Sequence, residues 1–235
     1  MSPRRHAGTA YVVTPPGGEG PGVLVLHAWW GLTPFFKGVA DRLADAGFVA
    51  LAPDLFAGET ASTPDEAEAL QATSSPNETA ALVLSAAGAL DGLPATTGPG
   101  IGVVGFSMGG SWALWAATRL PEVVGAVVTF YGTTDLDPEP GRAAVQAHFA
   151  ELDELVSDDE KVTLEAELRL LGRPVEVHHY SGTGHWFFED DHVAAHDPIA
   201  AELAWERTID FLHRHLDPPE GAADGTDPSA PPDAP

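Results

Sequence analysis

Residues 101–112 read Ile101-Gly102-Val103-Val104-Gly105-Phe106-Ser107-Met108-Gly109-Gly110-Ser111-Trp112. An apolar run of strand character, Ile101–Phe106, stops at a serine with a glycine two residues to either side. A helix-compatible stretch, Trp112–Leu120, follows. The pattern Gly105-x-Ser107-x-Gly109 is what a sharp strand-to-helix turn demands, because positions 105 and 109 can carry no side chain that would clash. Such a turn lifts the serine hydroxyl clear of the backbone. The helix start behind it offers free N–H groups and the positive end of a dipole. Five residues alone recur by chance; the strand before and the helix after give the motif its weight.

Outward from this run, strand and helix patterns alternate. Short apolar runs at Gly22–His27, Phe48–Ala52, Val123–Tyr131, Ala143–Phe149 and Pro174–Tyr180 join Ile101–Phe106 as strands buried on both faces of a mostly parallel sheet, with Thr9–Val13 as an edge strand. Thr63, Ser75 and Ser157 each stand three residues before a glutamate, and Thr33 precedes Pro34, so all four mark helix starts. Two apolar stripes at helical spacing, Leu164/Leu168/Leu171 and Trp205/Ile209/Leu212/Leu216, read as core. The expected architecture is a three-layer α/β sandwich over residues 1–216, with ligands at the carboxyl ends of the strands, where Ser107 sits. The Pro-, Gly-, Ala- and Asp-rich stretch 217–235 has no large apolar residue and reads as a disordered tail.

Eleven basic residues stand against 35 acidic ones in 235, a net charge of −24. That field disfavours nucleic acid and anionic membranes as partners, and it repels small anions unless cations are gathered locally. No stretch approaches the roughly 20 apolar residues of a membrane span. Met1–His6 is charged and leads into no apolar signal core, so the expected location is cytoplasmic, with a monomer as the default. The chain has no cysteine, which removes disulfides, thiolate metal sites and a cysteine nucleophile together.

A serine hydroxyl needs a base within reach, and in this topology the chain order is serine, then acid, then histidine. Of ten histidines, His178 and His179 fall inside a strand, His213 and His215 on the last helix, and His192 and His196 in an acidic loop. His185 follows the last strand in the glycine-flanked loop Ser181-Gly182-Thr183-Gly184-His185, able to swing an imidazole over the sheet end. The acid comes from Asp153, just past the preceding strand, or from Asp135, past the one before. Glu151, Glu154 and Asp158 read as solvated surface. Two N–H donors for an oxyanion are expected from Met108 and from Trp29, in the loop after an early strand. Trp30, Phe36, Tyr131, Trp186 and Phe187 are candidates for an apolar substrate pocket. Metal spacings such as His178-His179 or His192-x-x-x-His196 lack accompanying ligands, and no metal or cofactor is expected.

These motifs together resemble the dienelactone hydrolase family of the α/β-hydrolase superfamily: His27-Ala28-Trp29-Trp30-Gly31-Leu32, Ala52-Pro53-Asp54-Leu55-Phe56, Gly105-Phe106-Ser107-Met108-Gly109-Gly110, the Asp153 loop and Gly184-His185-x-Phe187-Phe188. The likeness runs from about Thr9 to Leu216. It implies a Cys–His–Asp triad that opens a lactone ring. Three departures from the family pattern stand out. The nucleophile is Ser107; Ala28 replaces the glutamate that holds the resting cysteine; and Gly58 and Glu189 stand in the regions of two carboxylate-gripping arginines. The expected activity is therefore hydrolysis of a small-molecule ester or lactone by a Ser-His-Asp triad, with neutral substrates preferred. The competing class is a non-catalytic binding or interaction protein on the same scaffold.

Overall fold

The computed structural model describes residues 9–134 and 141–217, so Asp135 and the stretch 218–235 lie outside the described residues. Among the described residues, seven strands form one sheet in the order β1-β3-β2-β4-β5-β6-β7. They are β1 (Ala10–Val13), β2 (Gly20–Leu26), β3 (Val49–Pro53), β4 (Thr96–Phe106), β5 (Val124–Phe130), β6 (Ala144–Ala150) and β7 (Val175–Tyr180). Only β1 runs antiparallel, against β3, so the edge strand is where the sequence puts it. Strand bounds shift from expectation by one or two residues, except that β4 begins five residues early, through Gly98 and Gly100.

Among the described residues, six helices accompany the sheet: α1 (Pro34–Asp45), α2 (Pro64–Thr73), α3 (Pro76–Asp91), α4 (Met108–Arg119), α5 (Asp158–Leu170) and α6 (Pro198–Leu216). Alternation along the strands splits the core in two. Val23 and Val25 of β2 and Val104 and Phe106 of β4 pack under α1 and α6. Leu24 and Leu26, with Ile101 and Val103, pack under α3, α4 and α5. This is the three-layer arrangement a buried parallel sheet requires.

The helix starts divide by what their hydroxyls do. Thr63 accepts from the Glu66 N–H, and Ser157 forms a full capping box with Glu160. Ser75 makes no such bond, and the Thr33 hydroxyl donates instead to Asp191 at 3.3 Å. On α6 the buried face is Ala201, Ala204, Thr208, Phe211, Leu212 and Leu216, while Trp205 and Ile209 are only half-covered at its margin. On α5, Leu164 and Leu168 are buried and Leu171 lies past the helix end. Lys161, also on α5, is 3% exposed; its Nζ donates to Ala150 O at 2.9 Å and meets Asp158 at 3.0 Å. Asp158 is thus the outer partner of a buried lysine that pins the end of β6, where the Asp153 loop begins.

Candidate active site

Ser107 follows β4 with φ 51° and ψ −115°, a backbone conformation that costs a non-glycine residue energy and recurs at functional turns. Its N–H donates to Phe130 O of the neighbouring strand at 2.9 Å, and α4 starts at once at Met108. The expected helix began only at Trp112, because Gly109 and Gly110 are poor helix formers. Their presence is steric. A Cβ on Gly109 would run into the carbonyls of Leu26 and His27, and one on Gly105 into Gly109 O. That close approach brings the end of β2, and the loop His27–Gly31 after it, against the serine.

Ser107 Oγ lies 2.9 Å from His185 Nε2, and His185 Nδ1 lies 2.9 Å from both carboxylate oxygens of Asp153. The side chains of His185 and Asp153 are 4% and 0% exposed. Burial pushes the Asp153 carboxyl up, but the His185 hydrogen bond and charge, with the Leu155 and Val156 N–H groups, hold it below the ordinary range. An ionised Asp153 only accepts, so Nδ1 carries the proton and Nε2 turns a lone pair to Ser107. The two loops are stitched together: Leu152 N–H donates to Thr183 O, Thr183 Oγ1 to Tyr180 O, and Gly182 N–H to the Glu151 carboxylate. Glu151, read as plain surface, is exposed but ties these loops.

Met108 is the first residue of α4, so its N–H has no acceptor within the helix. The loop bearing Trp29 is braced by His27, whose Nδ1 donates to Ala28 O at 2.7 Å and whose Nε2 accepts from Leu55 N–H at 3.1 Å. Burial lowers the His27 pKa to about 4, so the ring stays neutral and fixed in this tautomer. Trp29, Trp30 and Trp186 form one cluster, with ring centroids 5.3–6.1 Å apart, and Trp186 stands edge-on to His185 at 5.1 Å. Trp186 is half-buried, whereas Trp30, Tyr131 and Phe187 are almost wholly covered. Phe36 packs against His27 and Phe106, in the core beneath the site rather than at its surface.

The acidic loop holds what sequence reasoning missed. Glu189 has no exposed surface, and the Tyr131 hydroxyl donates to its Oε1 at 2.5 Å. Burial raises its pKa to about 8; the Tyr131 hydrogen bond opposes this, Asp191 adds to it, and the Trp30 indole facing the carboxyl tempers it. His192 Nε2 lies 3.7 Å from Glu189 Oε2, and burial lowers the His192 pKa. His196, instead of pairing with His192, places Nδ1 3.1 Å from Phe187 O. His178 is half-buried beside Glu176 and Gln146, and His179 is exposed. The only signal of Glu189's role was its departure from the family's arginine.

A parallel-sheet sandwich with a strained serine after a central strand, and an acid and a histidine after the two last strands, defines an α/β-hydrolase. The family model for the dienelactone hydrolase family matches residues 9–216. The chain belongs to that family and is one of its hydrolases. It is 35% identical over 215 residues to protein usf of Aquifex pyrophilus, covering 88% of this chain and 93% of that one. A carboxymethylenebutenolidase of Rhodococcus opacus is 28% identical, covering 85% and 83%. A dienelactone hydrolase-like promiscuous phosphotriesterase from metagenomic libraries superposes with a TM-score of 0.78 at 23% identity, covering 89% and 93%, a likeness of fold. Among the described residues, no helix is long and apolar enough to cross a membrane.

Proposed function

We propose that this chain hydrolyses a carboxylic ester or lactone through a covalent acyl-serine. Ser107 Oγ attacks the substrate carbonyl while His185 Nε2 takes its proton, and Asp153 orients the ring and stabilises its cation. The N–H groups of Met108 and Trp29 hold the oxyanion. His185 returns the proton to the leaving alkoxide as the carbon–oxygen bond breaks; from a lactone, that alcohol stays attached to the acyl group. Water, deprotonated by His185, then attacks the acyl-serine and releases the acid and the free serine. The observation that carries this reading is the unbroken chain of 2.9 Å contacts from Ser107 through His185 to Asp153. The named carboxymethylenebutenolidase relative supports a lactone or ester as the substrate class.

Neutral substrates suit the site better than anionic ones. Four residues past His185, where the family grips a carboxylate, stands the buried acid Glu189. Glu59, in the region of the other grip, lines a cavity of about 330 Å³ with Lys37 and Asp54. The test is hydrolysis of p-nitrophenyl acetate by the wild-type and S107A proteins. The reading requires turnover by the first and loss of about 10³-fold or more in the second; equal rates overturn it.

A further inference from the structure

The triad accounts for Ser107, His185 and Asp153, but not for the buried carboxyl four residues past the histidine. Glu189 N–H donates to Trp186 O at 2.9 Å, so Glu189 closes a tight turn that opens at Trp186, next to His185. Its Oε1 receives the hydroxyl of Tyr131, the residue immediately after β5. Tyr131 has φ 41°, and Trp186, at the other end of the contact, has φ 63°. Strained backbone of this kind persists only where its surroundings over-determine it, and here it flanks the histidine on both sides.

Tyr131 is held at three points. Its N–H donates to His148 O at 2.8 Å, its hydroxyl reaches Glu189, and its ring packs between His185, at 4.6 Å between centroids, and Phe187, at 5.7 Å. Among the described residues, the imidazole of His185 has hydrogen bonds only along its Asp153–Ser107 axis. Rotation about that axis is limited by what touches its faces and edges, namely Tyr131 and Trp186.

We propose that Glu189 is a positioning residue: by accepting the Tyr131 hydroxyl it fixes the Tyr131 ring against His185 and so keeps the base in line with Ser107. This rests on the triad reading above. The groups that face Glu189 are Tyr131 from the end of β5, Trp30 from the loop after β2, and Asp191 and His192 from its own loop. Among these no lysine or arginine supplies a counter-charge. Burial therefore keeps Glu189 as the neutral acid up to about pH 8, and the clamp works without placing a second carboxylate charge beside His185.

The test is steady-state hydrolysis of p-nitrophenyl acetate from pH 6 to 9.5 by wild type, Y131F, E189A and E189Q, with S107A and melting temperatures alongside. The expected result is a fall in kcat of about tenfold in Y131F and E189A with KM within about twofold, the mark of a misplaced base rather than lost binding. E189Q, whose amide oxygen accepts the same hydrogen bond, restores most of the kcat that E189A loses at pH 7. Above about pH 8 the wild-type kcat rises further, because ionised Glu189 strengthens His185 as a base; the E189Q profile stays flat. The inference is overturned if Y131F and E189A keep kcat within twofold, if the loss falls on KM, if E189Q is as impaired as E189A, or if E189Q and wild type share one pH profile. S107A with wild-type activity would instead overturn the triad itself, and this inference with it.

Discussion

His185 Nε2 stands 2.9 Å from Ser107 Oγ across 78 residues of sequence. Sheet order explains how so long a separation closes. Ser107 follows β4, Asp153 follows β6 and His185 follows β7, and these strands lie in the consecutive order β4-β5-β6-β7. All run parallel, so their carboxyl ends meet at one rim. The intervening strand, β5, is followed directly by Tyr131, whose ring packs against His185 and whose hydroxyl donates to Glu189.

Asp153 holds His185 in the tautomer that leaves Nε2 free to accept. Asp153→Asn keeps the shape but can donate to Nδ1 and favours the wrong tautomer. Its kcat for a neutral ester should fall by about 10³–10⁴-fold, while the melting temperature moves little. A D153N protein within tenfold of wild type would show that Asp153 does not orient the base.

Glu189 makes folding pH-dependent in a direction opposite to an ordinary ion-paired carboxylate. Its pKa is raised from 4.5 to about 8 on folding, so the unfolded chain loses this proton first as pH rises. Stability is greatest below the unfolded pKa, declines between the two values, and is level above the folded one. The penalty at pH 8 is roughly 5 kcal/mol if the full shift is realised. E189Q should therefore melt higher than wild type at pH 8, and the gap should shrink on acidification to pH 5. A pH-independent difference between the two proteins would contradict this account.

Two glycine replacements should act in opposite directions. A Cβ on Gly109 meets the backbone carbonyls of Leu26 and His27 at the end of β2, which cannot yield, so G109A should destabilise by about 2 kcal/mol or more and lower activity with it. Gly38, inside α1, has nothing within 4 Å of its Cβ position, and G38A should stabilise by about 0.5–1 kcal/mol. Denaturant midpoints of the two variants check both signs.

Substrate charge offers another readout. With Gly58 and Glu189 in the regions where the family pattern has arginines, a neutral phenyl ester should be turned over with higher kcat/KM than a carboxylate-bearing lactone of similar size. Salt should narrow the difference by screening the net charge of −24. A clear preference for the anionic lactone would contradict the neutral-substrate reading.

Much of the fold and of the candidate site is legible in the sequence, for physical reasons. The elbow is a local feature, since Ser107 and its glycines define one tight turn, and the parallel strands announce themselves as unbroken apolar runs. Asp153 and His185 follow from chain order, because each must leave the end of a strand on the same rim. What could not be read depends on contacts between distant residues. Glu189 looks like surface in the run Glu189-Asp190-Asp191-His192, and its partner Tyr131 is 58 residues away. Thr33 reads as a helix cap, but its hydroxyl goes to Asp191, 158 residues on. The buried face of α6 lies one edge away from its apolar stripe because small residues, Ala201, Ala204 and Thr208, let the helix lie close to the sheet, and hydrophobicity does not mark them.

The central claim is that Ser107 is a nucleophile activated by His185. Its most direct measurement is peptide mass spectrometry after exposure to diisopropyl fluorophosphate, which phosphorylates an activated serine and expels fluoride. The account predicts a single diisopropylphosphoryl group on the Ser107 peptide, hydrolytic activity lost in proportion, and no adduct on S107A. An unlabelled Ser107 in fully active protein, or activity that survives complete labelling of Ser107, would contradict it.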